Sequence, residues 1–190
     1  MSLDIPVKNF KAFLFDCDGT IADSMPLHFI AWQKALAPWK VEFPEELFYA
    51  WAGVPTASIV DRLNKQFVME LPIEEIVNSR EQFYFELLPE IKARPEVEEV
   101  ILSQYGKLPM AVVSGSPRES VLKTLRTLNL LNYFNEIICS EDVPLGKPHP
   151  DCFLLAASKL KVPPQDCLVF EDGAAGIQAA RSAGMTFVLV

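Results

Sequence analysis

The apolar run Phe13-Leu14-Phe15 breaks off into Asp16-Cys17-Asp18-Gly19-Thr20, and this junction restricts the chain more than any other stretch. With Phe10 and Ala12 ahead of it, the run has no polar alternation, so it reads as a strand buried on both faces of a parallel sheet. Two carboxylates then stand where the strand should end. Side chains two apart on an extended backbone point the same way, and Gly19 lets the chain curl immediately afterwards. Open α/β sheets bind ligands beyond the carboxyl ends of their strands, which is where these acids fall. The bland alternative is an Asp-Gly turn with solvated acids. Against it, two neighbouring carboxylates repel and call for a compensating cation.

The rest of the chain supplies the context for that strand. Ser24-Met25-Pro26 marks a helix start, and the helix it opens stops near Pro38. From there to Pro95 strand signals vanish. Amphipathic helices are predicted over Glu45 to Ala52, Ser58 to Met69 and Ile73 to Leu88, broken at Pro44, Pro55 and Pro72. Beyond Pro95, strands at Pro109 to Val113, Glu136 to Cys139, Cys167 to Phe170 and Thr186 to Val190 alternate with helices at Glu96 to Gln104, Pro117 to Leu128, Pro150 to Leu160 and Ala174 to Ala183. The expected fold is α/β, a doubly wound parallel sheet built from 1–23 and 96–190, with 24–95 inserted as a small helical domain.

Composition narrows the function. The chain has 190 residues, 50% of them hydrophobic, enough for one substantial core and a satellite. A formal net charge of −8 argues against nucleic-acid or anionic-membrane partners, which favour clustered Lys and Arg. Cys17, Cys139, Cys152 and Cys167 lack metal-type spacing and read as reduced core residues. With no apolar signal region at the N-terminus and no run long enough to span a bilayer, a soluble cytoplasmic protein is expected.

Each later strand also ends in chemistry. Ser114-Gly115-Ser116-Pro117-Arg118-Glu119 follows the second; Ser116 and Glu119 have capping-box spacing, and the helix start offers amides to an anion. An ordinary helix cap explains Ser116 and Glu119 but leaves Ser114 without a task. Gly146-Lys147-Pro148-His149-Pro150 follows the third strand and would fix one ammonium at the sheet edge, although a surface lysine is the commoner outcome. The fourth ends in Glu171-Asp172-Gly173, acids that could merely cap the next helix. Taken together, carboxylates converging at one sheet edge need a hard divalent cation, and an oxygen-only set favours Mg²⁺. Lys147, Ser114 and the neighbouring Gly115 amide then form an anion cradle, and a spare carboxylate completes the parts for phosphoryl transfer through an aspartyl-phosphate.

At these residues the chain resembles the haloacid dehalogenase superfamily of phosphohydrolases. Asp16-Cys17-Asp18-Gly19-Thr20 matches the first motif, Ser114 the second, Lys147 the third and Glu171-Asp172 the fourth. The insert after the first strand resembles the helical cap of the β-phosphoglucomutase-like branch. The resemblance implies that Asp16 attacks phosphorus, that Asp18 protonates the leaving alcohol and then activates water, and that Thr20 orients Asp18. It implies Mg²⁺ held by Asp16, the backbone carbonyl of Asp18 and Asp172, with Glu171 either a direct ligand or a support to the ligands, and with Ser114 and Lys147 on the transferring phosphoryl group. A small phosphorylated metabolite is the implied partner. His28 stands where a related mutase places a histidine, and the loop Gly53-Val54-Pro55-Thr56 resembles the cap's substrate loop. Thr56 replaces an arginine that the mutase uses for a second phosphate, and Pro117-Arg118 departs from the mutase's polar pair, though Arg118 could meet substrate. These departures favour hydrolysis of a sugar monophosphate over a phosphosugar mutase. A signalling receiver and an inactive scaffold are the readings from other classes.

Overall fold

The apolar run before Asp16 forms β1, Ala12–Phe15, with all four residues buried. In a computed structural model that describes residues 3–52 and 54–190, β1 is the middle strand of a five-stranded parallel sheet. The others are β2 (Met110–Val113), β3 (Glu136–Ile138), β4 (Cys167–Glu171) and β5 (Thr186–Leu189), in the order β3-β2-β1-β4-β5. Phe15 is in register with Val112 on one side and Phe170 on the other. Asp16, Val113 and Glu171, the last residue of β4, therefore stand at the same level of the sheet.

Alternate side chains of these strands fill two layers. Phe13, Phe15, Met110, Val112 and Phe170 face α5 (Pro95–Gln104) and α6 (Arg118–Thr127) through Val97, Ile101, Val121 and Leu125. Leu14, Ala111, Val113 and Val169 face α7 (Asp151–Leu160) and α8 (Ala174–Ser182) through Phe153, Ala156, Ala179 and Ala180. Helices on both faces explain why the strands read as continuous apolar runs. Phe15 and Phe170 stack with ring centroids 4.6 Å apart at 9°, directly beneath the strand ends that carry the acids. Each such ring buried contributes roughly 1.5–3 kcal/mol.

The chain divides into two compact units, Met1–Asp23 with Lys92–Val190 and Ser24–Ile91. The second is helical: α1 (Met25–Leu36), α2 (Glu45–Ala50), α3 (Thr56–Phe67) and α4 (Ile73–Leu87) enclose Trp32, Leu36, Phe48, Val60, Leu63 and Ile76. Pro44, Pro55 and Pro72 immediately precede α2, α3 and α4. Pro55 starts α3 two residues ahead of the expected Ser58, since the residue before a helix needs no donated N–H. Ser24 takes helical backbone angles and makes no side-chain cap. No helix among the described residues is long and apolar enough to cross a membrane.

Candidate active site

Asp16 follows β1 with its amide bonded to Phe170 O at 3.0 Å, so the backbone of the sheet fixes where its carboxylate emerges. Lys147, from the loop after β3, reaches the same point. Its ammonium donates to Asp16 Oδ1 at 2.6 Å, Glu171 Oε1 at 2.6 Å and Val113 O at 3.0 Å. An ammonium has three donors, and all three are engaged. The Lys147 side chain is only 11% exposed, which rules out the surface-lysine alternative, and its ammonium here ties two carboxylates together.

Burial pushes the Asp16 carboxyl well above its usual value of 3.8; Lys147 pulls it back, while Glu171, Asp172 and Asp18 push it further up. Burial also raises Asp172, with Glu171 adding to it. For Lys147, burial acts to lower the value, but Asp16 and Glu171 outweigh it and hold the ammonium charged. One ammonium among these carboxylates leaves an excess of negative charge, and that excess favours either a retained proton or a second cation.

Asp16, Glu171 and Asp172 each offer an oxygen within 4.8 Å of the other two. An oxygen-only set with surplus negative charge fits a hard divalent cation. Two glycines make this packing possible, and neither role is visible in the sequence. Gly19 has φ +88°, and a Cβ there would lie 2.1 Å from Asp172 Oδ2. Gly176, in α8, lies so close to Glu171 that a Cβ would meet Oε1 at 1.6 Å. Glu171 Oε2 accepts from the Gly173 N–H at 2.8 Å, so its carboxylate is held from both sides.

The loop after β2 departs from the sequence reading. The expected Ser116–Glu119 capping box does not form; α6 begins after Pro117, and the Arg118 N–H donates to Glu141 Oε1 at 2.9 Å. Glu119 pairs with Lys123 instead. Ser114 is buried, and its Oγ accepts from the Ser116 N–H at 3.0 Å. Ser116 Oγ in turn donates to Asp18 Oδ2 at 2.6 Å. Gly115 between them is exposed. Thr20 was expected to orient Asp18; its hydroxyl donates to Asp172 Oδ1 at 3.2 Å, because the curl at Gly19 carries it past Asp18. The Arg118 guanidinium pairs with Asp142 and donates to Ile137 O, an arrangement that ties it to β3 and the turn following it. Arg94, which the sequence reading passed over, donates to Gly19 O at 3.2 Å and pairs with Glu96.

The remaining expected residues belong to the helical unit. His28 is buried on α1, stacked on Tyr84 at 4.0 Å, with Nδ1 2.6 Å from Arg80 Nη2. An arginine always donates, so this bond requires a neutral imidazole accepting at Nδ1. Thr56 is the half-buried first residue of α3. Gly53, at the head of the expected substrate loop, lies outside the described residues.

A doubly wound sheet with a carboxylate cluster and a largely enclosed lysine at its carboxyl edge is the architecture of a phosphoryl-transfer protein. The match of the model described as haloacid dehalogenase-like hydrolase to residues 10–184 carries this further: the chain belongs to the haloacid dehalogenase-like hydrolases and is a phosphatase. It is 35% identical over 182 residues to the fructose-1-phosphate phosphatase of Escherichia coli strain K12, covering 95% of this chain and 96% of that one. It is 31% identical to the phosphorylated carbohydrates phosphatase of Thermotoga maritima, over 92% of this chain and 82% of that one. Among solved structures it is similar to a β-phosphoglucomutase from Clostridium difficile, with a TM-score of 0.83, 26% identity, and 94% and 83% of the two chains covered.

Proposed function

We propose that this phosphatase hydrolyses a small sugar monophosphate through a phosphorylated Asp16, with Mg²⁺ as its cation. The observation that carries the reading is the bond of Lys147 to both Asp16 and Glu171, with Asp172 in the same cluster. By holding one oxygen of Asp16, Lys147 sets the plane in which the other is presented. That oxygen attacks phosphorus; the bond from phosphorus to the leaving oxygen breaks, and Asp18 gives that oxygen its proton. Asp18, now a carboxylate, takes a proton from water as the water oxygen attacks the same phosphorus, releasing inorganic phosphate and restoring Asp16. Asp16, Glu171, Asp172 and the backbone carbonyl of Asp18 would hold Mg²⁺, which when bound offsets charge on the phosphoryl oxygens.

Ser114 and the Gly115 amide are the groups we assign to those oxygens, and with the cation site filled Lys147 would join them. The helical unit, Ser24–Ile91, acts as a cap that selects substrate, with His28 and Thr56 its contributing side chains. The names of the E. coli and T. maritima relatives support a phosphorylated carbohydrate as substrate. A mutase is the second reading, favoured by the likeness to the C. difficile enzyme. Against it, Thr56 cannot supply the charge a second phosphate needs. Four free and buried cysteines suit a reducing, cytoplasmic setting.

A panel of sugar phosphates assayed with Mg²⁺ for free phosphate tests the reading, with Asp16→Asn as control. Release by the natural protein and none by the control supports it. Formation of an isomeric sugar phosphate without free phosphate would favour the mutase, and equal release by both proteins would overturn the mechanism.

A further inference from the structure

Ser116 stands where a helix cap was expected, but Glu141 occupies the first free amide of α6. Its backbone is held at both ends: the N–H donates to Ser114 Oγ at 3.0 Å, and the carbonyl accepts from the Ser140 N–H at 3.2 Å. Pro117 follows and fixes the next φ. The side chain is thus aimed, and its hydroxyl meets Asp18 Oδ2 at 2.6 Å across a sequence separation of 98 residues. A carboxylate on a short side chain turns easily about its last torsion, and one anchored oxygen removes that freedom.

We propose that Ser116 is a positioning residue for Asp18. It fixes the carboxyl plane from which Asp18 passes its proton to the leaving oxygen. The proposal rests on the proton-transfer role given to Asp18 above. As the bond from phosphorus to the leaving oxygen breaks, the Asp18 proton moves to that oxygen, and the carboxylate left behind keeps the Ser116 hydroxyl as its donor. Without the anchor, the proton donor falls outside the roughly 2.6–3.2 Å reach that transfer requires. A leaving group that needs no proton should not register the loss.

The test compares kcat/KM on two phosphomonoesters: p-nitrophenyl phosphate, whose phenolate departs unprotonated, and whichever alkyl sugar phosphate in the panel turns over fastest. Ser116→Ala should lose on the order of tenfold to a hundredfold on the alkyl phosphate and less than about threefold on the aryl one. Ser116→Thr, which keeps the hydroxyl, should restore the alkyl rate to within about threefold. If Ser116→Ala does not fold, Ser116→Cys, close in size but a weak donor, carries the same comparison. Equal losses on both substrates, or no loss on either, would overturn the positioning role. Phosphate release by Asp16→Asn at the natural rate would overturn the hydrolytic mechanism and this inference with it. The two failures are distinguishable because that variant leaves Ser116 intact.

Discussion

The carboxylate of Glu171 lies against the backbone of Gly176, where a Cβ would sit 1.6 Å from Oε1. Helix α8 therefore has a glycine where propensity alone would favour alanine by about 1 kcal/mol. Gly176→Ala should push Glu171 off Lys147 and out of the carboxylate cluster proposed to hold the cation. We expect the Mg²⁺ concentration for half-maximal activity to rise about tenfold to a hundredfold, as when the groups supporting a ligand are lost. Metal titration by calorimetry checks this independently of turnover; unchanged Mg²⁺ affinity would contradict it.

Asp16 and Lys147 predict a pH dependence of stability with a definite sign. Burial raises Asp16, so above its ordinary value of 3.8 the folded, metal-free protein holds a proton that the unfolded chain has released. Stability should then fall as pH rises through the window between 3.8 and the folded value of Asp16. Lys147 is also raised, so its contribution is fully present below its ordinary value of 10.5 and is lost only as pH climbs above that. Mg²⁺ competes with the proton, so its binding should release protons and raise the melting temperature more at about pH 8 than at about pH 5.5. Thermal scans at several pH values, with and without Mg²⁺, measure both.

Val68, in the helical unit, offers a stability gain. It ends α3 with φ 53° and ψ 54°, a left-handed conformation costly for a β-branched residue, and is 92% exposed. Val68→Gly should raise the unfolding free energy by about 1 kcal/mol, because glycine takes this conformation without a Cβ penalty. Denaturant unfolding decides it, and a loss of stability would contradict the assignment.

The four cysteines are free and buried. Burial pushes the Cys17 thiol well above its usual 9.0, raises Cys152, and places Cys139 and Cys167 at about 11. Since the thiolate is the reactive form, a disulfide reagent should label none of them in the native protein and all four after denaturation. Rapid labelling without denaturant would contradict the packing of α7 and β4.

The parts that could be read from sequence were those with a local cause. Phe13-Leu14-Phe15 needed only its lack of alternation to be a central strand, and Asp16 and Glu171 needed only their positions at the ends of strands to converge, whereas Lys147 could be placed with them only by weighing all the strand ends together. The partnerships of Ser116, Thr20, Gly176 and Arg94 depend on which side chains face one another across the sheet edge. Ser116 even carries a competing local signal, since a serine three residues before a glutamate has the spacing of a helix cap. Glu141 takes that amide from a different loop, a choice that neither segment encodes alone.

The central claim, that Asp16 is the phosphoryl acceptor, is tested most directly by acid-quenching the protein during turnover of a labelled sugar phosphate and locating the label by peptide mapping. The account predicts label on the peptide containing Asp16, label that both forms and decays more slowly in Asp18→Ala, where the leaving oxygen and the attacking water each lack their proton-transfer partner, and none in Asp16→Asn. Continued turnover by Asp16→Asn, or label on a peptide lacking Asp16, would contradict it.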